Sequence, residues 1–439
     1  MTVGEQMNKA ANDVVIVDGV RTPFAKAGTV LQDVHAAEIG QIALQELIAR
    51  TNLDVKSVEE VIIGCVGNPA DAVNIARVVA LRAGIPQSVS AHTVHRNCAS
   101  ALESIATGYN MIKAGSADVV IAGGTENMSQ APLLFNKKMT ELFSKLQFSK
   151  TLGAKLSALM QFRPSYLAPR VTIMEALTDP FVGINMGQTA EILAKEFGIS
   201  REEQDQFALQ SHLKAAEGNK NGKLTQEMTP IFIGPDYKKV LDKDNGPRDG
   251  QTIEALQKLK PYFDRRTGTI TVGNACPLTD GAAMMLLMSR AKAEAQGYKP
   301  LARIRSYAFA GLDPERMGLG PAYASPIALR KAGLTLKDMG LIELNEAFAA
   351  QVLACKKALA SDKWCQEKLG LPQAVGEIDM NTLNVNGGAI AIGHPVGATG
   401  TRLVLTLAKE MKRRGTQYGL ATLCIGGGQG GAMIIENEG

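Results

Sequence analysis

Apolar runs and segments of helical period alternate along the first part of the chain. Residues 14–17 and 61–63 are β-branched runs typical of strands, and apolar positions recur with the period of a helix in 36–49 between them. A second helix is predicted over about 99–114, followed by an apolar strand over 119–122. Strands that alternate with helices in this way indicate an α/β fold.

The same order of elements recurs in the last third of the chain. Residues 53–64 align with 334–345 so that their apolar positions fall in step. A turn of small residues, a helix and a glycine-rich strand end then occur at 96–124, where Gly123-Gly124 is the predicted turn, and again at 393–428. We interpret this as an internal duplication about a pseudo-twofold axis. The alternative is a coincidence of common α/β patterns.

Residues 130 to about 270 interrupt the repeated order and look inserted. We therefore predict an N-terminal half that begins with 13–129, an inserted loop domain at 130–268, completion of the N-terminal half by 269–297, and a C-terminal half at 298–438. A chain of 439 residues is long enough for two or three domains, which agrees with this division.

The first part of the insertion, 131–170, is basic and amphipathic. Seven Lys and Arg residues stand there against one acid, Glu141, and apolar side chains recur at approximately helical spacing. Such a segment can bind phosphates, lie on an anionic membrane as a peripheral contact, or dock a partner. A helix that covers the core and turns a basic face to solvent is the alternative.

Composition narrows the class of protein. Hydrophobic residues make up 45% and charged residues 21%, which matches an ordinary soluble globular protein, and no apolar run approaches the roughly eighteen residues of a spanning helix. The net charge of +4 is too small to indicate nucleic-acid binding but suits a phosphate-rich ligand. Six scattered cysteines without a secretory signal predict free thiols in a reducing compartment. We expect a cytoplasmic protein, or a mitochondrial one from which a transit segment has been removed.

Two clusters place a reactive group beside small residues at a predicted helix start. Cys98 would open the helix over 99–114, where the helix dipole is expected to lower the pKa of its thiol, although most lone cysteines are buried hydrophobes. His394 lies before proline in a glycine-rich loop that leads into a helix from about Thr401, so it can take a proton from a thiol. The alternative for His394 is a simple turn residue.

Two further clusters follow predicted strands. Cys424 precedes the glycines at 426–428, whose backbone N–H groups can line an oxyanion hole while the thiol moves a proton. The run lacks the Lys and Ser/Thr of a phosphate-binding P-loop. Asn345 can orient a water or hydrogen-bond a carbonyl, and a helix N-cap is its alternative. The five histidines are dispersed, so no metal site is predicted.

Taken in order, these clusters resemble the thiolase family, and the likeness covers about 14–436. The matching motifs are Asn97-Cys-Ala-Ser-Ala, Ala122-Gly-Gly-Thr-Glu-Asn-Met-Ser, Asn345-Glu-Ala-Phe-Ala, Gly393-His-Pro-Val-Gly-Ala-Thr-Gly and Cys424-Ile-Gly-Gly-Gly. The resemblance implies a duplicated fold of five αβαβα layers with an inserted loop domain. It also implies an acetyl-CoA C-acyltransferase that uses coenzyme A as a substrate, holds no permanent cofactor, and forms a homodimer or tetramer.

The resemblance further implies a role for each cluster. Cys98 is expected to be the acylated nucleophile, His394 its base and Cys424 the acid and base at the substrate α-carbon. Asn345 is expected to hold a water, and the N–H groups of Cys98 and Gly426 to hold the thioester oxygen.

Three more positions are implied to contact the substrate. Met186 and Phe348 match the family's acyl-pocket positions, and Cys276 stands where many thiolases have a serine near the pantetheine of CoA. Asn185 stands where short-chain thiolases tend to have His, which favours longer acyl chains.

Within the family, residues 131–185 and 269–283 look most like the thiolase subunit of fatty-acid β-oxidation trifunctional complexes. Those subunits usually carry His at the position of Asn345 and Cys-Ala-Ala-Gly-Gly at the position of Cys424-Ile-Gly-Gly-Gly. We predict a 3-ketoacyl-CoA thiolase that releases acetyl-CoA, with a hydratase/dehydrogenase subunit as a candidate partner. The alternatives are a biosynthetic acetoacetyl-CoA thiolase, a ketosynthase, or a non-catalytic lipid carrier on the same fold.

Overall fold

Strands and helices alternate through residues 13–438, which this computed structural model describes. The strands are β1 Val14–Arg21, β2 Ala25–Lys26, β3 Glu60–Gly64, β4 Ser90–Val94, β5 Val119–Asn127, β6 Leu133–Leu134, β7 Arg170–Val171, β8 Ile231–Ile233, β9 Lys239–Leu241, β10 Thr279–Ser289, β11 Ala302–Gly311, β12 Leu341–Leu344, β13 Tyr418–Ile425 and β14 Gln429–Asn437. The α-helices are Ala36–Thr51, Ile75–Arg82, Ser100–Lys113, Lys137–Phe148, Leu152–Leu159, Thr172–Ala176, Met186–Glu196, Arg201–Lys220, Ile253–Gln257, Arg290–Ala295, Gly320–Ala332, Ala349–Leu359, Asp362–Trp364, Ala389–Ile392 and Thr399–Arg414. Single 3₁₀ or π turns are Val55–Ser57, Met128–Gln130, Pro164–Leu167, Thr225–Glu227, Pro314–Leu319, Leu336–Asp338 and Cys365–Leu369.

The main ladder of strands runs in the order β12-β13-β14-β11-β1-β10-β5-β3-β4, and β2 pairs with β10. Strands β1 and β11 meet through two residue pairs alone, Val15 with Arg303 and Ile16 with Ala302. This narrow join divides the ladder into two sheets, β4-β3-β5-β10-β1 and β12-β13-β14-β11.

The two sheets repeat one topology. In the first, β3 is parallel to β5, β5 is antiparallel to β10, and β10 is antiparallel to β1. In the second, β12 is parallel to β13, β13 is antiparallel to β14, and β14 is antiparallel to β11. In the second sheet, a parallel bridge joins Ile342 of β12 to Leu383, and it takes the place that the pairing of β4 with β3 has in the first sheet. The predicted duplication is therefore confirmed at the level of strand pairing.

Helices cover both sheets and separate them. Ala36–Thr51 and Ile75–Arg82 pack on the outer face of the first sheet, and Gly320–Ala332 and Ala349–Leu359 on that of the second. Two helices, Ser100–Lys113 and Thr399–Arg414, share one apolar cluster with the inner faces of both sheets. The arrangement confirms the five αβαβα layers. A helix between two sheets has no solvent face, so Thr399–Arg414 is buried almost throughout its first three turns.

The predicted turn at Gly123-Gly124 is wrong, because β5 continues through both glycines to Asn127. A side chain on Gly124 would overlap the carbonyl oxygen of Gly397, and one on Gly123 would crowd Met284 of the neighbouring strand. The two glycines therefore mark a close approach of backbones within a strand and not a change of chain direction.

The segment between β5 and β10 folds as helices with two short antiparallel strand pairs, β6-β7 and β8-β9, and buried ion pairs fix it to the core. Arg21 of β1 binds Glu227 at 2.7 Å and Asp244 at 2.7 Å, and all three side chains are fully buried. The Thr406 hydroxyl, on a central helix, also donates to Glu227. Removing one partner of such a buried ion pair would leave an unpaired buried charge, which costs about 3–5 kcal/mol. These contacts therefore fix the insertion to the core.

The basic segment of the insertion forms the helices Lys137–Phe148 and Leu152–Leu159. They pack on each other through Met139, Leu142 and Ala158. Leu146 is partly buried against this contact, and the other large apolar side chains of the two helices are exposed, so the helices do not cover the core as the alternative interpretation required. Among residues 13–438, no helix is both long and apolar enough to cross a membrane.

We expect Gly400→Ala to destabilise the protein, because the new methyl group would overlap the backbone nitrogen of Leu102 on the other central helix. Overpacking of this kind costs roughly 1–3 kcal/mol and should lower the midpoint of thermal unfolding. Gly153→Ala is the matched control, since Gly153 is also the second residue of its helix and has no atom within 4 Å of the added carbon. Equal midpoints for the two variants would contradict the proposed tight helix contact.

Candidate active site

Cys98 lies in the loop between β4 and the central helix Ser100–Lys113, two residues before the helix begins. Asn97 holds this loop in a left-handed conformation with φ of 45°. Its side-chain amide donates to the carbonyl of Gly426 at 2.8 Å. The N–H of Gly426 in turn donates to the Cys98 thiol, so the glycine turn after β13 is placed directly against the nucleophile.

The pKa of the Cys98 thiol is raised and not lowered, which corrects the expectation from its helix-start position. Burial is the main cause, and it outweighs the hydrogen bond from the Gly426 N–H, which acts in the opposite direction. A nearby carboxylate, Glu126, adds to the increase. The resting residue is therefore a thiol, and it needs a base before it can attack.

His394, the candidate for that base, is held by hydrogen bonds within its own loop. Its Nδ1 lies 2.7 Å from the hydroxyl oxygen of Thr399, and this hydroxyl donates its single proton to the carbonyl of Pro395. The Thr399 oxygen can therefore only accept from the imidazole, which places the ring proton on Nδ1. The other nitrogen, Nε2, is buried, has no partner and carries the free lone pair that a base requires.

Burial also lowers the pKa of His394 to about 3, and the positive charge of Arg402 contributes in the same direction. The imidazole is consequently neutral at physiological pH. Because Cys98 is also protonated, the thiol and the imidazole are both uncharged at rest and are not a preformed ion pair.

Asn345 follows β12 and is fully buried, yet neither its amide oxygen nor its amide nitrogen has a hydrogen-bond partner. The next helix begins at Ala349 with Phe348 at the N-cap, so the N-cap interpretation of Asn345 is wrong. Buried amides are nearly always hydrogen-bonded in native proteins. Asn345 is thus positioned to bind a water or a substrate oxygen.

Cys424 lies near the end of β13 in a small apolar cluster. Phe348 is buried in the same cluster, and Met186 and Cys276 pack against it, so the sequence-predicted pocket residues do come together. The Met186 sulfur lies 3.3 Å from the position a β-carbon would take on Gly426. Burial raises the pKa of the Cys424 thiol well above its ordinary value, which makes it a proton donor at neutral pH.

A cavity of about 780 Å³ has Cys98, Gly426, Gly427 and Met186 in its wall, whereas His394, Asn345 and Cys424 are buried behind that wall. The helix Thr172–Ala176 and the residues after it, all from the insertion, supply the facing wall. The size is within the range of sites that enclose an organic ligand, about 300–1,000 Å³. The insertion therefore completes the site that the two halves begin.

Glu126 is a residue of this site to which the sequence argument gave no role, although it lies in the quoted Ala122–Ser129 motif. It lines the cavity and accepts backbone N–H groups of Val66, Gly67 and Gly397 at 2.8–2.9 Å. Burial raises its pKa to about 7 in spite of these three donors. The carboxylate ties the loop of His394 to the first sheet. Within the described part of the chain, no cluster of His, Cys, Asp and Glu could hold a metal ion.

Comparison with known families agrees with this geometry. The model of the thiolase N-terminal domain matches residues 14–291, and that of the thiolase C-terminal domain matches residues 298–437. The chain therefore belongs to the thiolase family and is an acyltransferase.

Individual relatives extend over the whole chain. A curated 3-ketoacyl-CoA thiolase of Shewanella woodyi is 43% identical over 440 residues, which span 100% of both chains. The crystal structure of human mitochondrial 3-ketoacyl-CoA thiolase in complex with CoA superposes with a TM-score of 0.83 at 38% identity, covering 98% of this chain and 99% of that one. Bacillus anthracis acetyl-CoA acetyltransferase gives the same TM-score and identity over 97% of this chain and 98% of its own.

The neutral thiol–imidazole pair predicts how Cys98 reacts with iodoacetamide. The thiolate is the reacting form, so the alkylation rate should keep rising with pH beyond the ordinary thiol pKa of about 8.5. Mass spectrometry would assign the label, and Cys98→Ala is the control for the other thiols. A rate that levels off below pH 7 would reveal a preformed thiolate–imidazolium pair and contradict the assignment.

Proposed function

We propose that the chain is a 3-ketoacyl-CoA thiolase, which cleaves 3-ketoacyl-CoA with coenzyme A to give acetyl-CoA and a shortened acyl-CoA. The observation that carries this proposal is the pair of buried, unpartnered polar groups, Nε2 of His394 and the amide of Asn345, in a site with two protonated thiols. Cleavage of a carbon–carbon bond by a thiol needs a nucleophile, a base, an oxyanion site and a separate acid for carbon, and these residues supply all four.

In the first half-reaction, the Cys98 proton moves to Nε2 of His394 and the thiolate attacks the 3-keto carbon. The oxyanion is held by the protonated imidazole and a water on Asn345. The bond between C2 and C3 then breaks, leaving an acyl group on Cys98 and the enolate of acetyl-CoA. Cys424 protonates the enolate carbon, while the N–H groups of Cys98 and Gly426 hold the thioester oxygen.

In the second half-reaction, free coenzyme A gives its thiol proton to the Cys424 thiolate and attacks the acyl-enzyme. Cys98 leaves as a thiolate and recovers its proton from His394, which restores the resting state. One thioester is exchanged for another, so the step needs little net free energy. The same steps in reverse form a carbon–carbon bond by Claisen condensation, which is the biosynthetic alternative.

The cavity supports long acyl chains over acetoacetyl-CoA. Much of its wall is apolar, with Met128, Ile173, Leu177 and Phe181 among the contributors. Asn185 caps the helix Met186–Glu196 through a reciprocal pair of hydrogen bonds with Gln188, so it serves that helix end. A ketosynthase makes its carbanion by decarboxylation and has no use for Cys424, and a lipid carrier has no use for either thiol.

Steady-state thiolysis tests the proposal. We expect kcat/KM for 3-ketodecanoyl-CoA to exceed that for acetoacetyl-CoA by about 10–1,000-fold, because each buried methylene contributes up to about 0.8 kcal/mol.

Cys424→Ala should lower thiolysis by about 10²–10⁴-fold, the usual contribution of a general acid or base. Cys365→Ala is the matched control, since Cys365 is a buried thiol that bonds only to carbonyls of its own helical region. Full activity of Cys424→Ala would refute the mechanism, and activity on acetoacetyl-CoA alone would favour the biosynthetic enzyme.

The proposal includes peripheral binding of an anionic membrane by the basic helices of the insertion. Phe148 and Leu152 are 78% and 76% exposed at the junction of these helices, and Met160, just after the second helix, is 76% exposed. Lys150 and Lys155 stand among them. An exposed apolar patch rimmed by lysines matches the interface of a bilayer with anionic head groups. The patch belongs to the insertion that also walls the cavity, so a bound membrane would lie beside a site for fatty acyl chains.

Sedimentation with phospholipid vesicles tests this surface. The full chain should bind vesicles that contain phosphatidylglycerol and release them as salt increases, because each basic residue contributes about 1 kcal/mol near an anionic surface. The triple variant Phe148→Ser, Leu152→Ser, Leu156→Ser should lose binding, whereas Val73→Ser, an exposed apolar position outside the insertion, should keep it. Unchanged binding of the triple variant would contradict the proposal. If the wild-type chain does not bind vesicles but does bind a hydratase/dehydrogenase subunit, the patch is assigned to that partner.

A homodimer or tetramer also belongs to this proposal. Strand β4 is the last strand of the main ladder and pairs on one side with β3. The other edge of β4 pairs with no strand among the described residues, although the Ala91 carbonyl accepts from the Asn74 side chain there, and a second copy of the chain can supply a neighbouring strand.

A further inference from the structure

Glu346, the residue after Asn345, is fully buried at the junction of three chain segments. One of its carboxylate oxygens accepts from the Ser211 hydroxyl at 2.6 Å and from the Ile390 N–H at 3.2 Å. The other accepts from the side-chain amide of Asn384 at 2.8 Å. Burial raises the pKa of Glu346, and the bonds from Ser211 and Asn384 act in the opposite direction. All three donors fit an acceptor-only carboxylate.

Ser211 brings the inserted domain into this junction. It lies on the helix Arg201–Lys220, and its hydroxyl accepts from the Gly388 N–H at 3.2 Å while it donates to Glu346. From the next turn of the same helix, Lys214 donates to the carbonyl of Leu383 at 2.9 Å. The helix Arg201–Lys220 of the insertion therefore forms hydrogen bonds to the segment 383–388 at two places.

The segment 383–388 leads directly to His394. Gly388 passes so close to the Glu346 carboxylate that a β-carbon there would overlap it, and the short helix Ala389–Ile392 follows. The Asn384 amide also pairs with the backbone of Leu344, just before Asn345, through both its oxygen and its nitrogen at 2.9 Å. One carboxylate thus joins the strand end that carries Asn345 to the loop that carries His394.

We propose that Glu346 is a positioning residue that sets the distance between His394 and Asn345, and that Ser211 makes this distance depend on how the inserted domain is seated. The inference rests on the proposed function, in which these two groups hold one oxyanion between them. Preorganised donors stabilise an oxyanion only when both are aimed at it, and a displacement of about 1 Å can lower the rate by about 10²-fold. In this proposal, neither Glu346 nor Ser211 contacts the substrate.

Two variants test the latch, defined as the contacts of Glu346 with Ser211, Asn384 and Ile390. Ser211→Ala removes the hydroxyl that donates to Glu346 and accepts from the Gly388 N–H, and Glu346→Gln replaces an acceptor with an N–H that faces other donors. We expect kcat for thiolysis to fall about 10–1,000-fold in each, with KM within about threefold of wild type, because binding is separate from oxyanion alignment. Ser306→Ala is the matched control, since it also removes a buried hydroxyl, one that donates to Ala328 far along the chain from the latch.

Hydrogen exchange gives a readout that does not depend on catalysis. Peptides covering 384–398 should exchange faster in Ser211→Ala and Glu346→Gln, while those covering 96–104 and the alkylation of Cys98 stay as in wild type. A kcat within twofold of wild type in both variants would overturn the inference. So would a loss of kcat matched by an equal loss of alkylatable Cys98, because that pattern indicates general unfolding. A wild-type chain without thiolysis would instead refute the proposed function, and the exchange rates of 384–398 would still decide whether the latch couples the insertion to this loop.

Discussion

The close contact between the two central helices sets the geometry on which the active site depends. Cys98 precedes one of these helices, and the His394 loop precedes the other. At the crossing, Gly400 lies against the backbone of Leu102, and Gly124 lies against the carbonyl of Gly397. A side chain at Gly400 would push the two helices apart, and one at Gly124 would push the His394 loop away from β5. The active-site spacing is therefore a property of core packing, which is dense and yields little.

Duplication explains why the chemistry can be divided between the halves. Equivalent loops before the two central helices carry Cys98 in one half and His394 in the other. Near the ends of equivalent strands, β5 carries Glu126 and β13 carries Cys424. Each half thus supplies the same scaffold of strand ends, and different side chains at matching places complete one site. The inserted domain, which has no counterpart in the second half, encloses the cavity.

Much of the fold could be predicted because it follows from local pattern. Apolar periodicity located the strands and the duplication, a run of small residues located Cys98, and glycine-rich motifs located His394 and Cys424. What could not be predicted depends on contacts between distant segments. Gly123 and Gly124 look like a turn until the neighbouring backbone is known, and the helix-start argument for a lowered Cys98 pKa omits the burial that reverses it. The position of the ring proton on His394 likewise depends on which group accepts the hydroxyl proton of Thr399.

Storing the nucleophile as a thiol also affects how the protein withstands oxidation. Peroxides attack thiolates, and a sulfenic acid on Cys98 would leave no sulfur for the acyl group. With a raised pKa and a neutral neighbour in His394, very little thiolate exists between catalytic cycles. In the proposed mechanism a proton transfer must precede each attack by Cys98, and between turnovers the same proton keeps the sulfur in the form that peroxides attack slowly.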